Sequence, residues 1–296
     1  MKQENDIRDD EIRVIGGDDG QSQKPKGWQW LLLLLAGIVI GMLVWQMWPS
    51  EPEPSTVPPE EPGVFEPLPE TTEQPVDKQP FARAEETGHG FVEMIDTTIN
   101  DIPLRVYIPH RMRFTLSVGA IDRNDPSILY AAQAADVRAD NGGIVGAFVL
   151  EGEPLAWGGS KKGFCAIIND TVTVGVAENS PLFERATETK GYFFRQFPLV
   201  DKGQLVDNEP KGKSIRRSIC DHGGEILIVE TLTPESFHDF AQALVDLGID
   251  NAIYMVGSNS YGWATDAQGE RHPFGNPEPP KKKWKSISYL VMKEKQ

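Results

Sequence analysis

The most apolar part of the chain is a single run near its N-terminus. Residues 31–45 contain no charged side chain and include five consecutive leucines, and four tryptophans lie at or near the ends of the run. Indole rings favour the headgroup level of a bilayer, where the N–H stays in water. At about 1.5 Å per residue, a helix over 30–48 would span roughly 28 Å, which matches one hydrocarbon core. The pattern predicts a transmembrane helix over 28–48.

Charge around this run predicts its orientation. Lys24 and Lys26 precede it, and no basic residue follows before Lys78. The positive-inside rule places the N-terminus in the cytoplasm and residues 49–296 outside it, in the periplasm if the cell is Gram-negative. A cleaved signal peptide would end in small residues, whereas this run ends in Gln-Met-Trp-Pro. We therefore expect a retained single-pass anchor that contacts the lipid bilayer through 28–48.

Composition divides the remaining residues into three parts. Residues 1–27 are charged and hold few large apolar side chains, which is typical of a disordered tail. Residues 49–80 hold ten prolines and seven glutamates, which excludes helix and sheet because proline lacks an N–H donor. This segment is either a spacer that holds a domain away from the bilayer or a tolerated linker. Residues 81–296 are the expected exported domain.

Short β-branched and aromatic runs dominate the exported domain. Gly, Pro, Asn and Asp separate them, as in strands joined by turns. Hairpins are predicted across Asn169-Asp170 and across Gly223-Gly224. The predicted strands cover 104–108, 114–118, 145–150, 164–168, 171–176, 225–229, 252–256 and 286–292.

Two helices are predicted among these strands. Asp125-Pro126-Ser127 has the pattern of a helix start, and the alanine-rich stretch 128–139 follows it. Thr233 is the expected N-cap of the second helix, and Gly248 ends it. Its apolar stripe consists of Phe237, Phe240, Ala241, Leu244 and Leu247. The predicted fold class is α+β (mixed α/β), a strand-rich exported domain with two main helices, preceded by one transmembrane helix and a Pro-rich linker.

Overall composition excludes several classes of function. The formal net charge is −15, from 29 basic and 44 acidic side chains, so no nucleic-acid partner is expected, because phosphate contacts need a basic surface. The five histidines have no metal-ligand spacing and the two cysteines form no CxxC motif, so neither a metal nor a cofactor is predicted. Cys165 and Cys220 either form a disulfide in an exported domain or are two buried free thiols.

Several segments of the C-terminal half stand in a characteristic order. The sequence Arg-Arg-Ser-Ile-Cys at 216–220 is similar to Arg-Thr-Ala-Ile-Gly, a motif of a known protein family. An apolar strand and the helix from Thr233 follow it, as they do in that family. Residues 252–260 match Ala-x-x-Leu-Asp-Gly-Gly-Gly-Ser, and 197–203 match Gly-Pro-x-Leu-Val-x-x-Gly. In this order and spacing, over 136–261, the chain resembles the phosphodiester glycosidase family, which includes the mannose-6-phosphate uncovering enzyme and bacterial exopolysaccharide-associated relatives.

The chain departs from the family at both motif turns. Val256 stands where the family has an aspartate, so that carboxylate is lost, while Gly257 and Ser260 are retained. The family's Asn-Gly-x-Phe-Phe fits in two registers. One begins at Asn141 and keeps the letters, and the other, Val145-Gly146-Ala147-Phe148, keeps the spacing better and replaces the asparagine by valine.

Arg216 or Arg217 stands where the family has an arginine, so the resemblance makes one of them the best candidate for phosphate recognition. Arg216 and Arg217 point to opposite sides of a strand, so only one of them enters a cleft, where a guanidinium binds phosphate bidentately. The alternative is an ordinary surface ion pair. No catalytic residue is assigned. The substrate-binding set that the resemblance implies is Arg216, Arg217, Asn141, Gly146, Phe148, Gly257, Ser258, Asn259 and Ser260.

The predicted function is a membrane-anchored, envelope-facing protein that hydrolyses a sugar phosphodiester or a related glycan, with a glycan or sugar phosphate as ligand. The alternative is a catalytically inactive glycan-binding or envelope-organising module on the same scaffold. Asp140, Asp221 or Glu225 beside an arginine in the cleft would favour the hydrolase. Trp157, beside two glycines, is a candidate for stacking on a sugar, with core packing as the alternative.

Overall fold

The computed structural model describes residues 79–84, 88–258, 260–276 and 286–295. The predicted tail over 1–27 and the predicted transmembrane segment over 28–48 lie outside these residues, as does most of the predicted linker. Over the described ranges, none of the helices has both the length and the apolar character needed to cross a membrane.

The largest sheet has seven antiparallel strands. The hairpin across Gly223-Gly224 is confirmed, because the two strands on either side pair from His222 and Glu225 onward. In sheet order, the strands are β1 (Phe91–Ile99), β2 (Ile102–His110), β13 (Glu225–Thr231), β12 (Arg217–His222), β14 (Asn251–Met255), β10 (Pro198–Asp201) and β11 (Gln204–Leu205).

Two five-stranded antiparallel sheets complete the described strands. The β4 sheet consists, in order, of β16 (Arg271–Phe274), β15 (Gly262–Thr265), β4 (Ile128–Gln133), β17 (Ser288–Glu294) and β3 (Met112–Val118). The β9 sheet consists of β6 (Glu153–Ala156), β5 (Phe148–Leu150), β9 (Tyr192–Gln196), β7 (Gly163–Ile168) and β8 (Thr171–Val176). The predicted hairpin across Asn169-Asp170 is confirmed, and both turn residues have positive φ, as a two-residue hairpin turn requires.

Two short helices lie on the outer faces of these sheets. Helix α1 (Leu182–Glu188) has seven residues, and helix α2 (Phe237–Asp246) has ten. The amphipathic helix predicted from Thr233 is confirmed as α2, but it begins three residues later. The Ser236 side chain accepts the backbone N–H of Asp239 and is the N-cap, so Thr233 lies in the preceding turn.

The predicted helix over 128–139 is wrong. Residues 128–133 form β4, which is paired on one side with β15 and on the other with β17. The Asp125 carboxylate accepts the Ser127 N–H and closes a turn before the strand, rather than capping a helix. Tyr130 and its two following alanines are fully buried. Small alanine side chains allow close packing on both faces of a central strand, and this tertiary burial outweighs their helix propensity.

The predicted fold class therefore needs correction. The described residues form a strand-rich domain of three sheets, in which the helices contribute only one segment of seven residues and one of ten. The transmembrane helix included in that class is not among the described elements.

The three sheets enclose one central core. Ile219 of the seven-stranded sheet, Leu290 of the β4 sheet and Phe194 of the β9 sheet all belong to it. The other face of the seven-stranded sheet packs under α2, and that of the β9 sheet packs under α1. Cys165 lies in the central core and Cys220 under α2, both as free thiols. Burial raises the pKa of both thiols above the ordinary value.

Candidate functional site

The two adjacent arginines lie on opposite sides of the seven-stranded sheet. Arg216 precedes β12 and packs over the Phe237 ring of α2, with its guanidinium carbon 4.1 Å from the ring centroid. Its Nε donates to the Glu235 carbonyl oxygen at 2.9 Å, and its Nη2 donates to the Gly212 carbonyl oxygen at 2.8 Å. These contacts fix the guanidinium beside the N-terminal end of α2.

Arg217 points into the central core instead. Its side chain is 0% exposed, and its Nη2 donates to the Glu230 carboxylate at 2.7 Å. Its Nη1 donates to the Val256 carbonyl oxygen and to Ser260 Oγ, and the Phe274 ring covers the guanidinium at 4.3 Å. A phosphate could reach Arg217 only by displacing these groups, so the contacts describe a structural ion pair.

A second ion pair, between a buried lysine and a partly exposed aspartate, lies where β4, β7 and β9 come together. Asp136 follows the end of β4, and its Oδ2 accepts hydrogen bonds from Lys161 Nζ and, at 3.1 Å, from Gln196 Nε2. Lys161 Nζ also donates to Gln196 Oε1 at 2.8 Å and lies 4.5 Å from the Phe197 ring centroid. Burial lowers the pKa of Lys161 below its ordinary value, and the attraction of Asp136 opposes this shift.

The Asp136 carboxylate is held at one oxygen and open at the other. Its side chain is 35% exposed, whereas that of Lys161 is 6% exposed. In the hydrogen bonds found among the described residues, Oδ2 takes both side-chain donors and Oδ1 takes none. An oriented carboxylate with one free oxygen has the geometry of a group that can accept a proton from a bound water.

Tyr254 lies beside Arg216 and the loop at Gly257. Its hydroxyl accepts the backbone N–H of Gly257 at 3.2 Å. Burial raises the pKa of Tyr254, and the nearby negative charge of Asp136 adds to the effect, while the Gly257 N–H and the Arg216 guanidinium oppose it. The Arg216 guanidinium carbon lies 6.0 Å from the Tyr254 ring centroid. The Phe237 ring contacts both Tyr254 and Phe197, and the Phe197 ring lies beside Lys161. We call the set Asp136, Lys161, Gln196, Tyr254 and Arg216 the Asp136 cluster.

Some of the residues predicted for substrate binding lie beside this cluster. Gly257 contacts the Tyr254 hydroxyl, and Ser258, which has a φ of 52°, donates its N–H to the Ile215 carbonyl oxygen next to Arg216. A Cβ at Gly257 would overlap the same carbonyl oxygen, so the close approach of the two loops requires glycine here. Asn259 lies outside the described residues.

Other predicted residues lie elsewhere. Asn141 is exposed, and its Oδ1 accepts the Gly143 N–H within a turn. Gly146 has a φ of 87° and packs against Arg195, and Phe148 is fully buried in the central core. Ser260 is buried, and its hydroxyl donates to the Val256 carbonyl oxygen at 2.6 Å.

The carboxylates singled out in the sequence do not reach the Asp136 cluster. Asp140 forms an exposed pair with Arg138, Asp221 accepts the Gly224 N–H in the β12–β13 turn, and Glu225 accepts the Phe81 N–H. The carboxylates that do pair with buried cations, Asp136 and Glu230, were not predicted as site residues. No local pattern marks either of them, because Asp136 meets Lys161 across 25 residues and Gln196 across 60.

One group of side chains has the composition of a metal site. Asp266, Glu270 and His272 lie around the β15–β16 turn, and one potential ligand atom of each lies within 4.8 Å of the others. Asp266 already accepts the His272 ring nitrogen at 2.7 Å and the backbone N–H groups of Gln268 and Glu270. These hydrogen bonds stabilise the turn and explain why the three side chains lie close together.

Comparison with known proteins places the fold. No protein-family model and no curated protein matches the sequence. The chain is similar to the catalytic domain of zebrafish N-acetylglucosamine-1-phosphodiester alpha-N-acetylglucosaminidase, in a form auto-inhibited by its pro-peptide, with a TM-score of 0.50 and 13% identity over 70% of this chain and 83% of that chain. It is also similar to a hypothetical protein from Synechocystis, with a TM-score of 0.52 and 12% identity over 70% of this chain and 62% of that chain. At such identities the similarity concerns the fold alone. The fold of the domain resembles that of a phosphodiester glycosidase catalytic domain.

Proposed function

We propose that the domain hydrolyses the bond between a sugar and a phosphodiester, with Asp136 as the general base. The observation that carries the proposal is the carboxylate itself: it is oriented at Oδ2 by Lys161 and Gln196 and partly exposed, with no side-chain donor found at Oδ1 among the described residues. The resemblance to a protein named for action on an N-acetylglucosamine-1-phosphodiester supports the choice of substrate class.

A single carboxylate is sufficient for this reaction. An ordinary glycosidase needs a second carboxyl group as an acid, because the departing sugar oxygen must be protonated. Here the departing group is a phosphate monoester, whose last proton has a pKa of about 6, so it leaves as an anion without an acid. Asp136 takes a proton from water as the water oxygen bonds to the anomeric carbon. The bond from that carbon to the phosphate oxygen breaks, and its electrons stay on the phosphate.

Arg216 is the group proposed to recognise the phosphate. Its guanidinium is held at Nε and Nη2 by the Glu235 and Gly212 carbonyl oxygens. The Phe237 ring that it covers contacts the Phe197 ring, which in turn lies beside Lys161. A fixed cation near the departing phosphate stabilises the negative charge that develops in the transition state. Arg217 has no such role in the proposal, because Glu230 and Phe274 enclose it.

The test is hydrolysis of a diester of N-acetylglucosamine 1-phosphate by the full-length chain, followed as released reducing sugar. Asp136→Asn keeps the shape of the side chain and removes the base, so the rate is expected to fall roughly 100-fold or more. Asp140→Asn, in an exposed carboxylate four residues away, is the matched control and should keep the wild-type rate. Urea unfolding of both variants checks that the fold is intact. A wild-type rate in folded Asp136→Asn, or no hydrolysis by the wild-type chain, contradicts the proposal.

Val256 favours a second candidate function. The family resemblance gives this position to a carboxylate, but here the side chain is apolar and the backbone carbonyl accepts Arg217 and Ser260. A site that lacks this carboxylate and still holds the sugar phosphate would be a catalytically inactive glycan-binding or envelope-organising module. Binding of the same diester without turnover, measured by calorimetry, would support this candidate.

A further inference from the structure

Trp157 is the most exposed large apolar side chain in the part of the chain that the structure describes. It follows β6 directly and is 74% exposed, whereas Leu155 on the same strand is 38% exposed. An indole left in water forgoes the stabilisation of burying a large apolar ring. The other described tryptophan, Trp263, is fully buried and donates its ring N–H to the Ile128 carbonyl oxygen.

A cavity of about 180 Å³ adjoins the Trp157 ring. Pockets that enclose a small ligand usually measure roughly 300–1,000 Å³, so this cavity would receive one unit of a longer molecule rather than enclose it. The polar side chains that line it beside Trp157 are Glu178, Asn179, Ser180, Glu184 and Arg195.

Two parts of the cavity wall are held by hydrogen bonds within the chain. The Arg195 guanidinium, which is buried, donates to the carbonyl oxygens of Lys161, Ala177 and Glu178 at 2.7–2.9 Å. The Ala147 N–H donates to the Gly158 carbonyl oxygen and ties the chain next to Trp157 to the neighbouring loop. A preformed site loses little entropy on binding.

We propose that Trp157 and this cavity form a carbohydrate subsite. One face of the indole would stack on the C–H face of a pyranose ring, because aromatic faces carry negative charge density and C–H groups are weakly positive. Carboxylates accept from sugar hydroxyls, while the Asn179 amide and the Ser180 hydroxyl both donate and accept. The ligand is a neutral oligosaccharide. The carboxylates of Glu178 and Glu184 in the lining disfavour an anion. Glu178 is already paired with Lys162 at 2.7 Å, so it does not need a cationic ligand.

The subsite lies on the opposite face of the β9 sheet from the Asp136 cluster. Arg195 lines the cavity, and the next residue in β9, Gln196, holds the Asp136 carboxylate. Consecutive strand residues point to opposite faces, so the two sites do not share side chains. The inference therefore goes beyond the proposed hydrolysis and does not depend on it.

The test is calorimetric titration of the full-length chain with chitotriose, cellotriose and maltotriose. We expect at least one of these trisaccharides to bind. Trp157→Ala should weaken that binding about tenfold, and Trp157→Phe, which keeps an aromatic face, by less than about threefold. Leu155→Ala is the matched control, since it removes a neighbouring exposed apolar side chain outside the cavity lining, and it should bind like the wild type.

Several outcomes would overturn the subsite. They are the absence of binding for all three trisaccharides, equal binding by Trp157→Ala and the wild type, and competition by tetramethylammonium, which would identify a cation site. Hydrolysis of the monosaccharide diester should be the same in Trp157→Ala and the wild type. Failure of the hydrolase proposal and failure of the subsite are therefore separate results.

Discussion

Removal of the buried Arg217 guanidinium should lower the free energy of unfolding of the domain more than any surface substitution does. Arg217→Met keeps an apolar stem of similar length and removes the charge. It leaves the Glu230 carboxylate, which is buried, with the Tyr107 hydroxyl at 3.0 Å as its remaining side-chain partner. It also frees the acceptors at Val256 and Ser260 that Arg217 now satisfies.

The expected loss follows from this geometry. Breaking a buried ion pair by removing one partner costs about 3–5 kcal/mol, because the remaining charge stays in a medium of low dielectric constant. With a urea m-value of about 2 kcal/mol/M, the midpoint of unfolding should fall by roughly 1.5–2.5 M. Arg138→Met is the matched control: Arg138 forms an ion pair with Asp140 in which both side chains are more than half exposed, so its midpoint should not change.

A double variant tests the cause. Adding Glu230→Gln to Arg217→Met removes the uncompensated charge, so the double variant should be more stable than Arg217→Met by about 1 kcal/mol or more. Urea unfolding of the wild type, Arg217→Met, Glu230→Gln and the double variant, followed by circular dichroism, measures this coupling. Equal midpoints for Arg217→Met and Arg138→Met would refute the reasoning, as would a double variant less stable than either single one.

Two further predictions concern a loop and a pH dependence. Gly257→Ala should lower the free energy of unfolding by about 1–3 kcal/mol, because the added Cβ would overlap the Ile215 carbonyl oxygen. Gly88→Ala is the control, since Gly88 has open space around it, and it should leave the free energy of unfolding unchanged. Equal urea midpoints for the two variants would contradict this prediction. Burial acts to raise the pKa of Glu93, but hydrogen bonds from two backbone N–H groups and from His110 hold it below its ordinary value. A lowered pKa in the folded state stabilises the protein above the unfolded-state pKa and ceases to do so as pH falls through the folded-state value. The advantage of the wild type over Glu93→Gln in urea midpoint should therefore be present at pH 6 and shrink below pH 4.5, and an advantage that grows with acid would contradict the sign.

Local patterns were sufficient where the interactions are local. The stripe from Phe237 to Leu244 fixes one face of a helix, and α2 buries that face under the seven-stranded sheet. The hairpins at Asn169-Asp170 and Gly223-Gly224 follow from residues that accept positive φ. Only the start of α2 was misplaced, because Thr233 and Ser236 are both good N-caps and the Ser236 side chain makes the bond.

The stretch from 128 shows where local patterns fail. Its turn residues and alanines favour a helix when read alone. In the folded chain β15 and β17, from more than 125 residues further along, pair with both edges of β4. Strand pairing of this kind satisfies the backbone through distant partners, and no window of sequence contains that information.

For this protein, the sequence by itself determined that Arg216 and Arg217 face opposite sides of a strand, and that the side chain at position 256 is apolar. Only the tertiary structure decided which arginine is paired with Glu230 in the core and which packs over the Phe237 ring of α2. It also brought Asp136 to Lys161 and Gln196, across 25 and 60 residues. The reason is physical: side-chain alternation is a property of the local backbone, whereas burial and ion pairing depend on which distant strands meet in the core.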